Sequence, residues 1–167
     1  MGCGGTPPFE FHQVGKPSVS CDLRKPLNRV LNFIQCDAHN LPFMEDSFGL
    51  VTLFEVLEHV DSPMQVLREA KRVGRRLVLS TPNAVYLPRT LISIISKAQQ
   101  AKPHGDHIQL WGKAELENLL NRVQCKSFRI TFGTMIRGRL RLLTRLILAL
   151  TPFPALKYRN LVADVTW

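Results

Sequence analysis

The stretch from Phe33 to Val60, FIQCDAHNLPFMEDSFGLVTLFEVLEHV, decides how the rest of the chain is read. It opens on a short apolar run, Leu31, Phe33 and Ile34, that stops at an acid, Asp37. A turn rich in Asn, Pro, Glu, Asp and Ser comes next, and then a near-continuous apolar run from Phe48 to Val56. That run closes in Glu55, Glu58 and His59, just ahead of Asp61-Ser62-Pro63. Apolar runs without alternation are what strands buried on both faces of a parallel sheet require. Ligands of such sheets bind beyond the carboxyl ends of the strands. The pattern therefore places a ligand near Asp37 and the segment Glu55 to His59, and does not name it.

Toward the C-terminus, Met64, Val66, Leu67 and Ala70 recur at helical spacing, which predicts a helix from Pro63 to Arg72. Pro63 suits the first turn, with Asp61 or Ser62 as its cap. Lys71, Arg72, Arg75 and Arg76 flank the helix end and the following loop, where the dipole favours cations, so no partner is needed to justify them. Arg76 to Ser80 reads as a strand running into Thr81-Pro82-Asn83. Helices are expected at Leu87 to Ala98 and Ala114 to Arg122, and a strand at Lys126 to Phe132. Met135 to Leu150 reads as a basic amphipathic helix ended by Pro152 and Pro154. Leu161 to Trp167 is the last strand, with the final pair antiparallel. Toward the N-terminus, Val19 to Leu23 is a strand ending at Asp22, preceded by the glycine-rich turn Met1 to Thr6. Asp22 lies about twenty residues beyond Gly2, the separation that puts a carboxylate on the ribose of a nucleotide-type cofactor. The expected fold is α/β, a mostly parallel Rossmann-like sheet with an antiparallel C-terminal strand, flanked by helices.

Bulk properties narrow the class. The chain has 167 residues, 45% of them apolar, which suits one domain with a sizeable core. Lys and Arg number 22 against 13 Asp and Glu, a net charge of +9. Such an excess speaks of partners, not of fold. Arg137, Arg139, Arg141 and Arg145 crowd one segment, without interleaved aromatics or an accompanying nucleic-acid motif, so nucleic acid is not the expected partner. Cys3, Cys21, Cys36 and Cys125 show no paired or metal-ligand spacing, which predicts buried thiols and no disulfides. With no secretory pattern and no apolar run of spanning length, the expected location is cytoplasmic.

With these residues in place the chain resembles the class I S-adenosylmethionine-dependent methyltransferases, particularly the branch called methyltransferase type 11. The resemblance rests on GCGG at Gly2 to Gly5, Asp22, CDAHNLPF at Cys36 to Phe43, DSFGLV at Asp46 to Val51 and EVLEHV at Glu55 to Val60. LVLSTPN at Leu77 to Asn83 and HIQLW at His107 to Trp111 extend it. It implies S-adenosylmethionine as cofactor, with Gly2 and Gly4 beneath the methionine part and Asp22 on the ribose hydroxyls. It further implies Asp37 at the adenine amino group, a backbone contact from Ala38, Leu23 packed on the adenine, and Phe54 and Glu55 lining the pocket. Thr6 stands where many members carry a third glycine. The family's central first strand, ending in an acid before the glycine loop, has no counterpart here. A single, N-terminally incomplete domain over residues 1–167 is therefore expected, with an upstream segment, another segment of the chain or a second subunit filling that place.

The resemblance implies transfer of a methyl group to O, N or C of a small or lipid-like acceptor, an in-line displacement in which the protein orients the nucleophile. His59, His104 and His107 are the candidate bases, since imidazole titrates near working pH. No metal site is expected, because no histidine–carboxylate spacing repeats a zinc pattern. The segment 136–150 leaves peripheral membrane contact open, and a homodimer is compatible with the sequence. The alternative is a degenerate, non-catalytic subunit. An NAD-dependent oxidoreductase is disfavoured for want of a Tyr–Lys pair.

Overall fold

The computed structural model describes residues 19–26, 32–86, 108–133 and 160–167. The glycine-rich turn, the helices expected at 87–98 and 135–150, and His104 and His107 lie outside the described residues.

Two parallel strands come first, β1 (Ser20–Asp22) and β2 (Phe33–Gln35), paired with Asp22 opposite Gln35. Asn32, a residue that tolerates the left-handed region, turns the chain into β2 at φ 53°. A second sheet has the order β3 (Val51–Phe54), β4 (Arg76–Pro82), β6 (Asn160–Thr166), β5 (Ser127–Gly133). β3 and β4 are parallel, and β6 runs antiparallel to both β4 and β5. This is the mixed sheet flanked by helices that the sequence leads one to expect, with the antiparallel strand inserted between its neighbours.

Among the described residues, two helices flank the sheet, α1 (Pro63–Val73) and α2 (Lys113–Arg122). α1 buries Val66, Leu67, Ala70 and Val73, the narrow stripe that 3.6-residue periodicity presents to a core. These side chains meet Leu53 of β3, Leu77 and Leu79 of β4, Leu116 and Leu120 of α2 and Leu161 of β6 in one cluster. Gly74 closes α1 where a Cβ would collide with the Val51 side chain, so the helix can turn directly onto the sheet.

Two expectations need correction. The apolar run from Phe48 to Val56 is not one strand. Phe48 instead spends its backbone on the turn after α1, its N–H on Val73 O (2.9 Å) and its carbonyl on Arg75 N (3.1 Å). β3 then ends at Phe54, and Glu55, at φ 51°, turns the chain toward a 3-10 turn, Leu57–His59. Second, Ser62 stands at the N-cap of α1 without a side-chain capping bond; its carbonyl accepts from Gln65 N and Val66 N instead. Cations at and after the end of α1 also make specific contacts. Lys71 Nζ donates to the carbonyls of Val123 and Gln124 at 3.1 and 3.0 Å, closing the C-terminal end of α2. Arg76 reaches both oxygens of Asp164, at 3.1 and 3.0 Å.

Candidate functional site

The site lies at the carboxyl ends of the parallel strands, and two carboxylates define its first half. Asp22 ends β1, and Asp37 lies just past β2, with Cys36 N donating to Asp22 O at 3.0 Å to hold the two chain ends together. Each carboxylate is fixed by the same local device. Arg24 N donates to Asp22 Oδ1 at 2.9 Å, and His39 N donates to Asp37 Oδ1 at 2.9 Å. Asx turns of this kind orient a short acid without using a distant partner. The His39 backbone N–H and then its ring hold the Asp37 carboxyl below the usual carboxylate range.

The loop from Asp37 to Phe43 is docked along α1. Gln65 Nε2 donates to His39 O at 3.3 Å, and Glu69 Oε2 accepts from Leu41 N at 2.9 Å. Arg72 donates to Leu41 O and Phe43 O at 2.9 and 2.7 Å while it also grips Glu69. Arg72, with the Leu41 N–H, holds the nearly buried Glu69 carboxyl below its ordinary range. Leu41 is buried and the Phe43 ring meets Phe48 edge-on at 4.9 Å, so the loop is packed against the core. The loop that carries Asp37 is thereby a rigid element.

The second half lies past β3. Glu55 is exposed, and its Oε1 accepts from Ser80 Oγ (3.0 Å) and Asn160 Nδ2 (2.8 Å), bonds that help hold its left-handed backbone. Glu58 is buried. Its Oε2 accepts from the fully buried Thr81 hydroxyl at 3.1 Å, while Oε1 has no hydrogen-bond partner among the described residues. Burial, reinforced by the Glu55 charge, pushes the Glu58 carboxyl up to about 7. Its carbonyl accepts from Ile108 N (2.8 Å) and Gln109 N (3.2 Å), and Ala84 N donates to Trp111 O (2.9 Å). The segment 108–111 thus straps the turn after β3 to the end of β4, beside the buried Asn83.

Among the expected site residues, the structure gathers Asp22, Leu23, Asp37 and Ala38 at the ends of β1 and β2. Leu23 is 65% exposed, which leaves its side chain available to a ligand. Phe54, half-buried, and Glu55 stand at the end of β3. His59 is exposed at the close of the 3-10 turn, its N–H bonded to Val56 O at 3.0 Å. Gly2, Gly4, His104 and His107 fall outside the described residues. Sequence reasoning passed over three groups: His39, Glu58 in its buried role, and Glu69. The first has a readable signal, an Asp-x-His spacing suited to an Asx turn. The second has one too, an acid set between Leu57 and Val60. Glu69 offers none, since its partner Leu41 lies 28 residues away.

The mixed parallel and antiparallel sheet flanked by helices matches a Rossmann-like methyltransferase fold. The methyltransferase domain family matches residues 1–77. The bifunctional methionine biosynthesis protein MetXA/MetW of Rhodopirellula baltica is 33% identical over 84 residues, 49% of this chain and 14% of that protein. The demethylmenaquinone methyltransferase of Paenarthrobacter aurescens is 28% identical over 141 residues, 64% of this chain and 56% of that protein. A solved S-adenosylmethionine-dependent methyltransferase from Archaeoglobus fulgidus shares the fold at a TM-score of 0.54 and 16% identity, over 81% of this chain and 67% of that one. Through the match over residues 1–77 and the shared fold, the chain is similar to the class I S-adenosylmethionine-dependent methyltransferases of the methyltransferase type 11 kind. It spans less than two thirds of the length of both curated relatives.

Proposed function

We propose that this protein is an S-adenosylmethionine-dependent methyltransferase acting on a small or lipid-like acceptor. The observation that carries this reading is the pair Asp22 and Asp37, pinned by equivalent backbone N–H bonds at the ends of adjacent parallel strands. Two fixed carboxylates on neighbouring strands suit a nucleoside, whose ribose diol and base amino group present donors at separate points. The residues present fit the cofactor: Asp22 takes the ribose hydroxyls, Asp37 the adenine amino group, and exposed Leu23 covers the adenine face. When bound, S-adenosylmethionine supplies an electrophilic methyl carbon. The chain's part is to orient the acceptor and exclude water. His59, exposed next to Glu58 at the end of β3, is placed to take the proton of a hydroxyl or amine acceptor. The demethylmenaquinone methyltransferase relative supports an aromatic, lipid-like acceptor over a macromolecule.

The test is transfer of labelled methyl from S-adenosylmethionine to a panel of quinols, phenols and small amines. Turnover of at least one acceptor is expected, with kcat lowered about a hundredfold or more in His59→Ala. Cofactor binding without transfer to any acceptor would favour a non-catalytic partner subunit.

A further inference from the structure

His39 is the residue most tightly coupled to Asp37, and neither cofactor contact nor proton transfer accounts for it. Its ring Nδ1 lies 2.7 Å from Asp37 Oδ1, and its backbone N–H reaches the same oxygen at 2.9 Å. Its other ring nitrogen, Nε2, lies 3.3 Å from Ser62 N at the N-cap of α1. A backbone N–H can only donate, so Nε2 accepts, and the proton of a neutral imidazole must then sit on Nδ1, facing the carboxylate. The carbonyl of His39 is held as well, by Gln65 Nε2 at 3.3 Å. The ring is thus locked between a loop acid and a helix terminus, in one tautomer. Both bonds to Asp37 fall on Oδ1, and among the described residues Oδ2 has no protein partner, while the side chain is 54% exposed.

We infer that His39 is a positioning residue that fixes the Asp37 carboxylate so that Oδ2 is presented to the amino group of the bound nucleoside, making it a determinant of base specificity. This rests on the proposed cofactor reading and adds to it a residue that touches no ligand. An Asp held by its Asx turn alone still rotates about its terminal torsion, which is broad for a carboxylate. A second donor on Oδ1 from the imidazole removes that freedom, and the bond from Ser62 anchors the imidazole to α1. Ordering is then complete before the ligand arrives, which is how a preorganised site gains affinity. An unanchored carboxylate would accept from water as readily as from the base.

The experiment compares S-adenosylhomocysteine with its 6-oxo analogue, S-inosylhomocysteine, by titration calorimetry. The proteins are the wild type, Asp37→Ala, His39→Ala and the double variant. The wild type is expected to prefer the amino ligand by about tenfold or more, the worth of a hydrogen bond to a charged group. His39→Ala is expected to lose several-fold in affinity for S-adenosylhomocysteine and little for the 6-oxo analogue, so that discrimination shrinks. In the Asp37→Ala background the same change should have no further effect, as coupled residues require. Parallel loss of both ligands in His39→Ala would overturn the inference and make His39 merely structural, and so would an unchanged preference. Failure of the wild type to bind either ligand would overturn the cofactor reading itself.

Discussion

Asp37 and Glu58 both stand past the carboxyl end of a parallel strand, and they meet opposite environments. Asp37 is half-exposed, doubly bonded on one oxygen and held below the usual carboxylate range. Glu58 is buried, bonded once through Thr81, and pushed up to about 7. The difference arises in the turn that each strand runs into. After β2 the chain enters a polar Asx turn that offers N–H groups at once; after β3 it enters a 3-10 turn whose first side chain, Leu57, is driven into the core and carries Glu58 with it. One acid is thereby kept charged at an exposed position. The other is kept poised between charge states at neutral pH.

The contrast predicts opposite pH dependences, and the larger effect is at Glu58. Its folded-state pKa lies above the ordinary 4.5, so the folded chain binds the extra proton. Stability should therefore fall as pH rises from about 4.5 to about 7 and level off above, by about 3 kcal/mol for a shift of this size. Urea denaturation across that range should show this slope in the wild type and little of it in Glu58→Gln. An equal slope in both would remove Glu58 from the account. Thr81→Val takes away the one hydroxyl that stabilises the charged form. It should cost about 1–2 kcal/mol, and more at pH 8 than at pH 5, since the ionised carboxylate depends on that donor most. Asp37 has the opposite sign. Its lowered pKa contributes stability that is present above its unfolded value and lost as pH falls through the folded one. Urea denaturation followed by circular dichroism at successively lower pH should show Asp37→Asn less stable than the wild type above the usual carboxylate range, the gap closing as pH falls below that range, and smaller than either Glu58 effect because the group is half-exposed.

The same contrast shows why only part of the site could be read from the chain. β1, β2, α1, β4 and α2 were readable because apolar periodicity, Pro63 and the acids at strand ends are local signals. Asp22 and Asp37 were readable for that reason. The break of the Phe48–Val56 run was not, because it depends on Phe48 hydrogen bonding to Val73 and Arg75, a tertiary choice that local propensity does not record. Nor was the placement of β6 between β4 and β5, since strand order is set by long-range pairing. Arg72 read only as a cation at a helix end, and Glu69 carried no signal of its own. They clamp the loop bearing Asp37 because Leu41 and Phe43 leave backbone groups that need partners beside α1. Glu58 looked like a companion of His59, and burial alone gives it a different character.

The central claim is that the acids beyond β1 and β2 hold the nucleoside of S-adenosylmethionine. Calorimetric titration with S-adenosylhomocysteine tests it most directly, with Asp22→Ala beside the wild type and thermal unfolding to show that both are folded. The account predicts micromolar binding by the wild type that Asp22→Ala loses while keeping its fold. Binding of equal strength in both would contradict it, as would a folded wild type that takes up no ligand.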